Sequence, residues 1–382
     1  MFRGYLYGYL NTFYNYIRLT GVDGKSYKQQ KYLQTASYLK LDGYKKRFFL
    51  SSCKLLGLFE NIIYFVSVTV QLISLLIHKT ISGNTCKIYQ NENCVYVYGY
   101  GAWNLTTLIS KAGIKLENVV FVTCPCRDNS VYDKYKRYDL TMNLTIREVL
   151  SSYTNSIRLI YYIKHKYGYR DVLFHANNSF EYFLVYSFYL KHPEVKLCYV
   201  DLYDRWAYLF GSLKNHKTLI QHGMLIDGMP FVKKVGDVDD CYVFNEEQLR
   251  ILHTKLIGKI GRIHYLPTLK LTGSVIQHKN NKKDIMIICS HFYFAKEKKM
   301  VDLFYKSEKW NIYMKPHPLD DIEPYKEFSE RFDVGLLGKV DFPMVDLAVS
   351  YASTLALEYQ MAGVPVLQYD DSDFEEKLKK FL

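Results

Sequence analysis

The sequence has no Cys-x-x-Cys pair and no Cys/His cluster. Its eight cysteines stand apart at 53, 86, 94, 124, 126, 198, 241 and 289, and Cys124-Pro-Cys126 is too close for an ordinary zinc pair. A structural zinc module is excluded, and reduced thiols lying mostly in strands are expected. Acidic residues are scarce at the start: residues 1–80 hold eleven Lys/Arg against Asp23, Asp42 and Glu60, a net +8 of the total +12. A basic stretch on a nearly balanced remainder implies an acidic surface as partner: anionic lipid, glycan or nucleic acid. No recognised nucleic-acid motif accompanies it, so nucleic acid is set aside. A secretory leader is not expected either, because the first twenty residues mix Arg3 and Arg18 with Tyr and Asn. Charge is missing altogether from residues 61–77. As a helix this run is roughly 25 Å long, short of a bilayer core of about 30 Å. Ser67, Thr69, Gln71 and Ser74 interrupt it. A buried helix is favoured, ahead of a helix lying in a membrane interface and of a span.

What is present is a long, apolar chain. At 382 residues and 49% hydrophobic content it exceeds one ordinary α/β core and is not disordered. From residue 86 strand-like runs alternate with helix-like ones. Strands are expected at 94–98, 118–123, 171–174, 196–200, 217–220 and 241–244, with helices between, the last starting at a capping Asn245. A segment at 264–274 crosses into a second unit with strands at 284–289, 311–315, 346–350 and 364–368. Such alternation implies mainly parallel sheets, with a ligand cleft at the carboxyl ends of the strands. Three parts are expected: a helical, possibly membrane-associating extension (1–85), a first α/β domain (86–270) and a second (271–382).

The strand ends carry the chemistry. Gly99-Tyr-Gly101 opens like a dinucleotide fingerprint but has Asn104 at the third glycine position, so it reads as a tight turn at the first domain's rim. His175, in His175-Ala-Asn-Asn, also follows a strand and is placed weakly on the acceptor side. Gln221-His222-Gly223 brings an imidazole and a glycine backbone to a strand end, where His222 suits a general base on a hydroxyl or a partner for a phosphate charge. Asp227 in the same loop is a second candidate base, provided that burial raises its pKa. Asp237-Val-Asp239-Asp240 reads as a solvated acidic turn at the amino end of its strand, so no metal site is expected. Lys315-Pro-His317-Pro318 holds a cation and an imidazole with little freedom, suited to a departing phosphate. Ser353-Thr354 starts a helix whose free N–H groups form an anion site, with Glu358 one turn in.

Lys315-Pro-His-Pro318, Ser353-Thr354, Glu358 and Gly363-Val-Pro365 together resemble the donor half of GT-B glycosyltransferases. The likeness is to bacterial surface-polysaccharide enzymes: sialyl- and polysialyltransferases, Kdo transferases and CDP-glycerol glycerophosphotransferases. It covers roughly residues 215–370. The resemblance implies two Rossmann-like domains facing across a cleft. Lys315, His317, Pro318, Ser353 and Thr354 would hold the donor phosphate and Glu358 the ribose. His222 matches the His-Gly turn of the glycerophosphotransferases, where that His is catalytic. The implied activity is metal-independent transfer of a sugar, with CMP-linked donors such as sialic acid or Kdo favoured, to a glycan or lipid-linked acceptor in capsule or lipopolysaccharide synthesis. No cofactor is expected, and the place is the cytoplasmic side of a bacterial membrane, held through residues 1–80. Asp227-Gly228 only partly matches the sialyltransferases' acidic motif, and Tyr351-Ala352 stands where the glycerophosphotransferases have an aspartate. A glycerophosphotransferase and a non-catalytic glycan- or membrane-binding module therefore stay open.

Overall fold

The computed structural model describes residues 2–20, 43–56, 60–82, 94–98, 102–125, 130–167, 178–271, 281–290, 294–317, 322–338, 341–351, 353–369 and 371–382. Gly99, His175, Pro318 and the strand expected at 171–174 lie outside them. The chain forms two compact units, residues 1–266 and 267–382.

Among the described residues the first unit opens with three helices, α1 (Phe2–Thr20), α2 (Gly43–Leu56) and α3 (Glu60–Ser82). Strand–helix alternation follows: β1 (Val95–Val97), α4 (Ala102–Lys111), β2 (Val119–Thr123), β3 (Arg137–Asp139), α5 (Ile146–Tyr167), α6 (Ser179–Lys191), β4 (Lys196–Tyr199) and α7 (Arg205–Gly211). It closes with β5 (Lys217–Ile220), β6 (Gly236–Val243), α8 (Glu246–Ile251) and β7 (Ile257–Tyr265). The seven strands are all parallel, in the order β3-β2-β1-β4-β5-β6-β7. This is a Rossmann-like sheet that reverses direction between β1 and β4. Every residue of β2 and β5 is buried; β2 reads as an almost unbroken apolar run, while β5 opens on the buried Lys217 and Thr218.

Two expectations are corrected here. Helices α1 and α3, expected in a separate extension, pack into the first unit. Tyr5, Leu6 and Leu10 of α1 and Tyr64, Val68, Leu72 and Leu75 of α3 belong to the same core as the sheet. Burying each such side chain contributes about 1.5–3 kcal/mol. The fit of α1 depends on Gly8, where a Cβ would lie 2.2 Å from the backbone nitrogen of Arg205. The second correction concerns Asp237, Asp239 and Asp240, which lie within β6 and not in a turn before it. Asp237 accepts the Lys259 N–H at 2.8 Å and Asp239 that of Lys217 at 2.7 Å. Asp240 is paired with Arg262 at 2.8 Å and His264 at 2.9 Å.

The second unit contains β8 (Lys283–Ile288), α9 (Phe294–Lys306), β9 (Trp310–Lys315), α10 (Glu323–Phe332), β10 (Gly335–Leu336), β11 (Leu347–Ser350), α11 (Thr354–Met361), β12 (Val366–Gln368) and α12 (Phe374–Lys379). Its sheet is also parallel, in the order β10-β9-β8-β11-β12, and reverses between β8 and β11. Alternate residues feed opposite faces: Ile285, Ile287, Met314 and Val349 enter one core layer, while Met286, Ile288, Tyr313 and Ala348 enter the other. The chain is thus α/β, with two Rossmann-like units.

Candidate functional site

In an open parallel sheet the point of reversal leaves a crevice at the carboxyl ends of its strands. In the second unit three strand ends meet there. Ile288 of β8 is in register with Lys315 of β9, and Ile287 with Val349 of β11. The Lys315 and Ser350 ends therefore flank β8, roughly 10 Å apart at one strand spacing each. The turns beyond them, Pro316-His317 and Tyr351 to Thr354, are the two that the sequence marks.

His317 is exposed just past β9. Ser353 caps α11: its hydroxyl oxygen accepts the Leu355 N–H at 3.2 Å, which leaves its own O–H as a donor. Thr354 is the first residue of α11, and Glu358 sits one turn in, half-buried. Lys315 departs from its expected role. Lys315 is 5% exposed; its ammonium donates to the carbonyls of Gly338 and Asp341 and lies 4.5 Å from the Phe342 ring centroid. Burial holds its pKa below the usual lysine value. This cation ties Gly338 and Asp341 to the end of β9 and is not presented as a free charge there.

A residue that sequence reasoning missed sets the β8 turn. Glu297, buried on α9, accepts the Ser290 N–H at 2.6 Å and the Tyr325 hydroxyl at 3.2 Å. Its signal was an acid alone among Lys296, Lys298 and Lys299.

In the first unit the carboxyl ends of β4 and β5 hold His222. Its Nδ1–H donates to the carbonyl of Val200, so Nε2 is the nitrogen that can accept a proton. The turn is set by two buried glutamines. Gln221 donates to Gly223 O at 2.9 Å and to Gln248 Oε1 at 2.7 Å, and its own oxygen accepts the Phe244 N–H at 3.2 Å. Gln248 clamps Leu225 from both sides, accepting its N–H at 2.8 Å and donating to its carbonyl at 3.0 Å. Gly223 thus contributes a fixed carbonyl.

Asp227 is corrected. It is exposed and paired with Lys255 at 2.8 Å and Arg250 at 3.1 Å. Lys255 first, then Arg250, holds its carboxyl below the usual range. A carboxylate so stabilised is a weak base near neutrality.

Two carboxyls at the same sheet edge are pushed the other way. Glu181 of α6 is 3% exposed, accepts the Tyr98 hydroxyl just past β1, and has its pKa pushed up to about 8 by burial, against the pull of Arg205. Asp201, two residues beyond β4, is held well above the usual value by burial and by Asp204. Among the described residues no three His, Cys, Asp or Glu side chains converge as metal ligands do.

No protein-family model matches this chain, and no curated protein is similar to it. Among solved structures, a mutant O-GlcNAc transferase from Thermobaculum terrenum is similar at 11% identity and a TM-score of 0.28, over 81% of this chain. The chain spans 61% of that protein's chain. A likeness of that size transfers no activity.

Proposed function

We propose that the chain is a GT-B-type glycosyltransferase that moves a sugar from a nucleotide-activated donor to a glycan or lipid-linked acceptor. One observation carries the reading: the two marked turns, ending at His317 and at Ser353-Thr354, flank the end of β8, beside the reversal point of the second sheet. There a donor phosphate meets an imidazole, a hydroxyl and the first N–H groups of α11, all able to stabilise the charge left when the glycosidic bond to phosphate breaks. Glu358 takes a ribose hydroxyl. The first unit binds the acceptor, and His222 Nε2 removes the proton from its attacking hydroxyl. With the leaving charge met this way, the reaction proceeds without a divalent ion or cofactor. A CMP-linked donor is favoured, in capsule or lipopolysaccharide assembly on the cytoplasmic side of a bacterial membrane.

The test is a melting-temperature panel with CMP-, CDP-, UDP- and GDP-linked donors. One donor class should raise the melting temperature, and His317→Ala should abolish that rise. His222→Ala should keep it and lower turnover by about 10²–10⁴-fold, the usual worth of a general base. A panel in which no nucleotide shifts the melting would refute the proposal.

A further inference from the structure

Helix α3 is apolar on two opposite faces, and among the described residues only one of them is covered. Tyr64, Val68, Leu72 and Leu75 are buried in the first unit's core. The Tyr64 hydroxyl bonds that of Ser179 at 2.7 Å, Thr69 bonds Tyr153 at 3.0 Å, and Lys79 donates to the Thr141 carbonyl at 3.1 Å. The other face carries Ile62, Val66, Val70, Ile73, Ile77 and Ile81, each more than half exposed. Their spacings of three and four residues align them in one stripe roughly 28 Å long. Scattered exposed apolar residues are ordinary; a continuous stripe is not.

We infer that this stripe is a membrane-docking face, with α3 lying in the plane of an anionic bilayer and its six aliphatic side chains entering the acyl boundary. The inference stands independently of the glycosyl-transfer reading. The composition selects lipid over a protein partner: the stripe is branched aliphatic, without the Trp, Tyr and Arg that anchor protein interfaces. The charge agrees. Helix α2, which ends at Leu56 shortly before α3, contains Lys45, Lys46, Arg47 and Lys54 and no acid. Its Tyr44 and Phe48 are 79% and 64% exposed and stack with ring centroids 6.3 Å apart. Lys45 and Arg47, both exposed, beside exposed aromatics suit an anionic headgroup layer, and the apolar stripe supplies the second signal that stable attachment needs. The helix is long and apolar enough to cross a membrane by composition, over Tyr64–Ile81. Its packed face, tied to α5 and α6, keeps it on the surface instead.

The experiment is flotation of the full chain with vesicles of phosphatidylcholine alone and of phosphatidylcholine mixed with phosphatidylglycerol. The wild type should float with the anionic vesicles. The Ile73→Asp/Ile77→Asp double variant should stay in solution with an unchanged melting temperature, since both side chains face solvent. Lys45→Glu/Arg47→Glu should weaken binding to anionic vesicles by about fivefold for each charge removed. Equal flotation of wild type and the Ile73/Ile77 variant overturns the inference. So does a wild type that ignores both vesicles, or one that forms a dimer through this stripe and binds no lipid.

Discussion

At the residue scale, the site depends on polar side chains that never reach solvent. His222 is aimed by the Val200 carbonyl and by a turn that Gln221 and Gln248 hold from beneath. Lys315, which the pattern marks as a phosphate binder, holds Gly338 and Asp341 instead, because a lysine 5% exposed is better satisfied by two carbonyls than by a distant anion. Glu181 yields a sharper expectation. Its pKa of about 8 in the folded chain exceeds its ordinary 4.5, so between those values the folded chain keeps a proton that the unfolded chain has lost. The stability this group contributes is present at low pH and falls as pH rises through that window. Glu181→Gln keeps an acceptor for the Tyr98 hydroxyl and cannot ionise. Measured by thermal melting, it should gain on the wild type from about pH 5 to about pH 8, by on the order of a few kcal/mol. The same difference between variant and wild type at both pH values would contradict this account.

At the element scale, α1 has the largest structural role that the sequence conceals. Asn11, fully buried, donates to the Tyr203 carbonyl at 3.1 Å and the Tyr208 hydroxyl at 2.9 Å, and accepts the Val232 N–H at 2.8 Å. It joins α1 to α7 and to the loop before β6. Asn11→Ala should cost about 2 kcal/mol in urea unfolding, the penalty for stranding buried polar partners; an unchanged midpoint would mean that α1 is dispensable. The strand β7 went unread for a related reason. It lies at the sheet edge, and its exposed positions carry Lys259, Arg262 and Ile263. At Gly261 a Cβ would lie 2.5 Å from the Asp239 carbonyl, so the glycine that looks like a strand breaker is what lets β7 approach β6. Strand β2 was legible because burial on both faces writes it as an almost continuous apolar run, and β4 and β5 from the apolar residues that follow Lys196 and Lys217.

At the scale of the whole molecule, each unit has its own core. The layers around Ile287 and Met286 draw only on residues 269–382, and the layer around Tyr5 and Leu197 only on residues 2–260. Residues 267–382 expressed alone should therefore melt cooperatively by circular dichroism and still respond to the donor that stabilises the full chain. A fragment without a melting transition would show that its core needs the first unit. Of the site, the turns at His222, His317 and Ser353-Thr354 were legible, since each places polar residues directly after an apolar run. Their supports were not: Gln221 meets Gln248 across 27 positions and Tyr98 meets Glu181 across 83. The sequence by itself determined the α/β alternation, the strand ends that hold the candidate site residues and the uneven charge, because these are written in local runs and periodicities. The tertiary structure alone decided the strand orders with their reversal points, the burial of α1 and the outward face of α3. Those depend on pairings between distant segments, which no local pattern encodes.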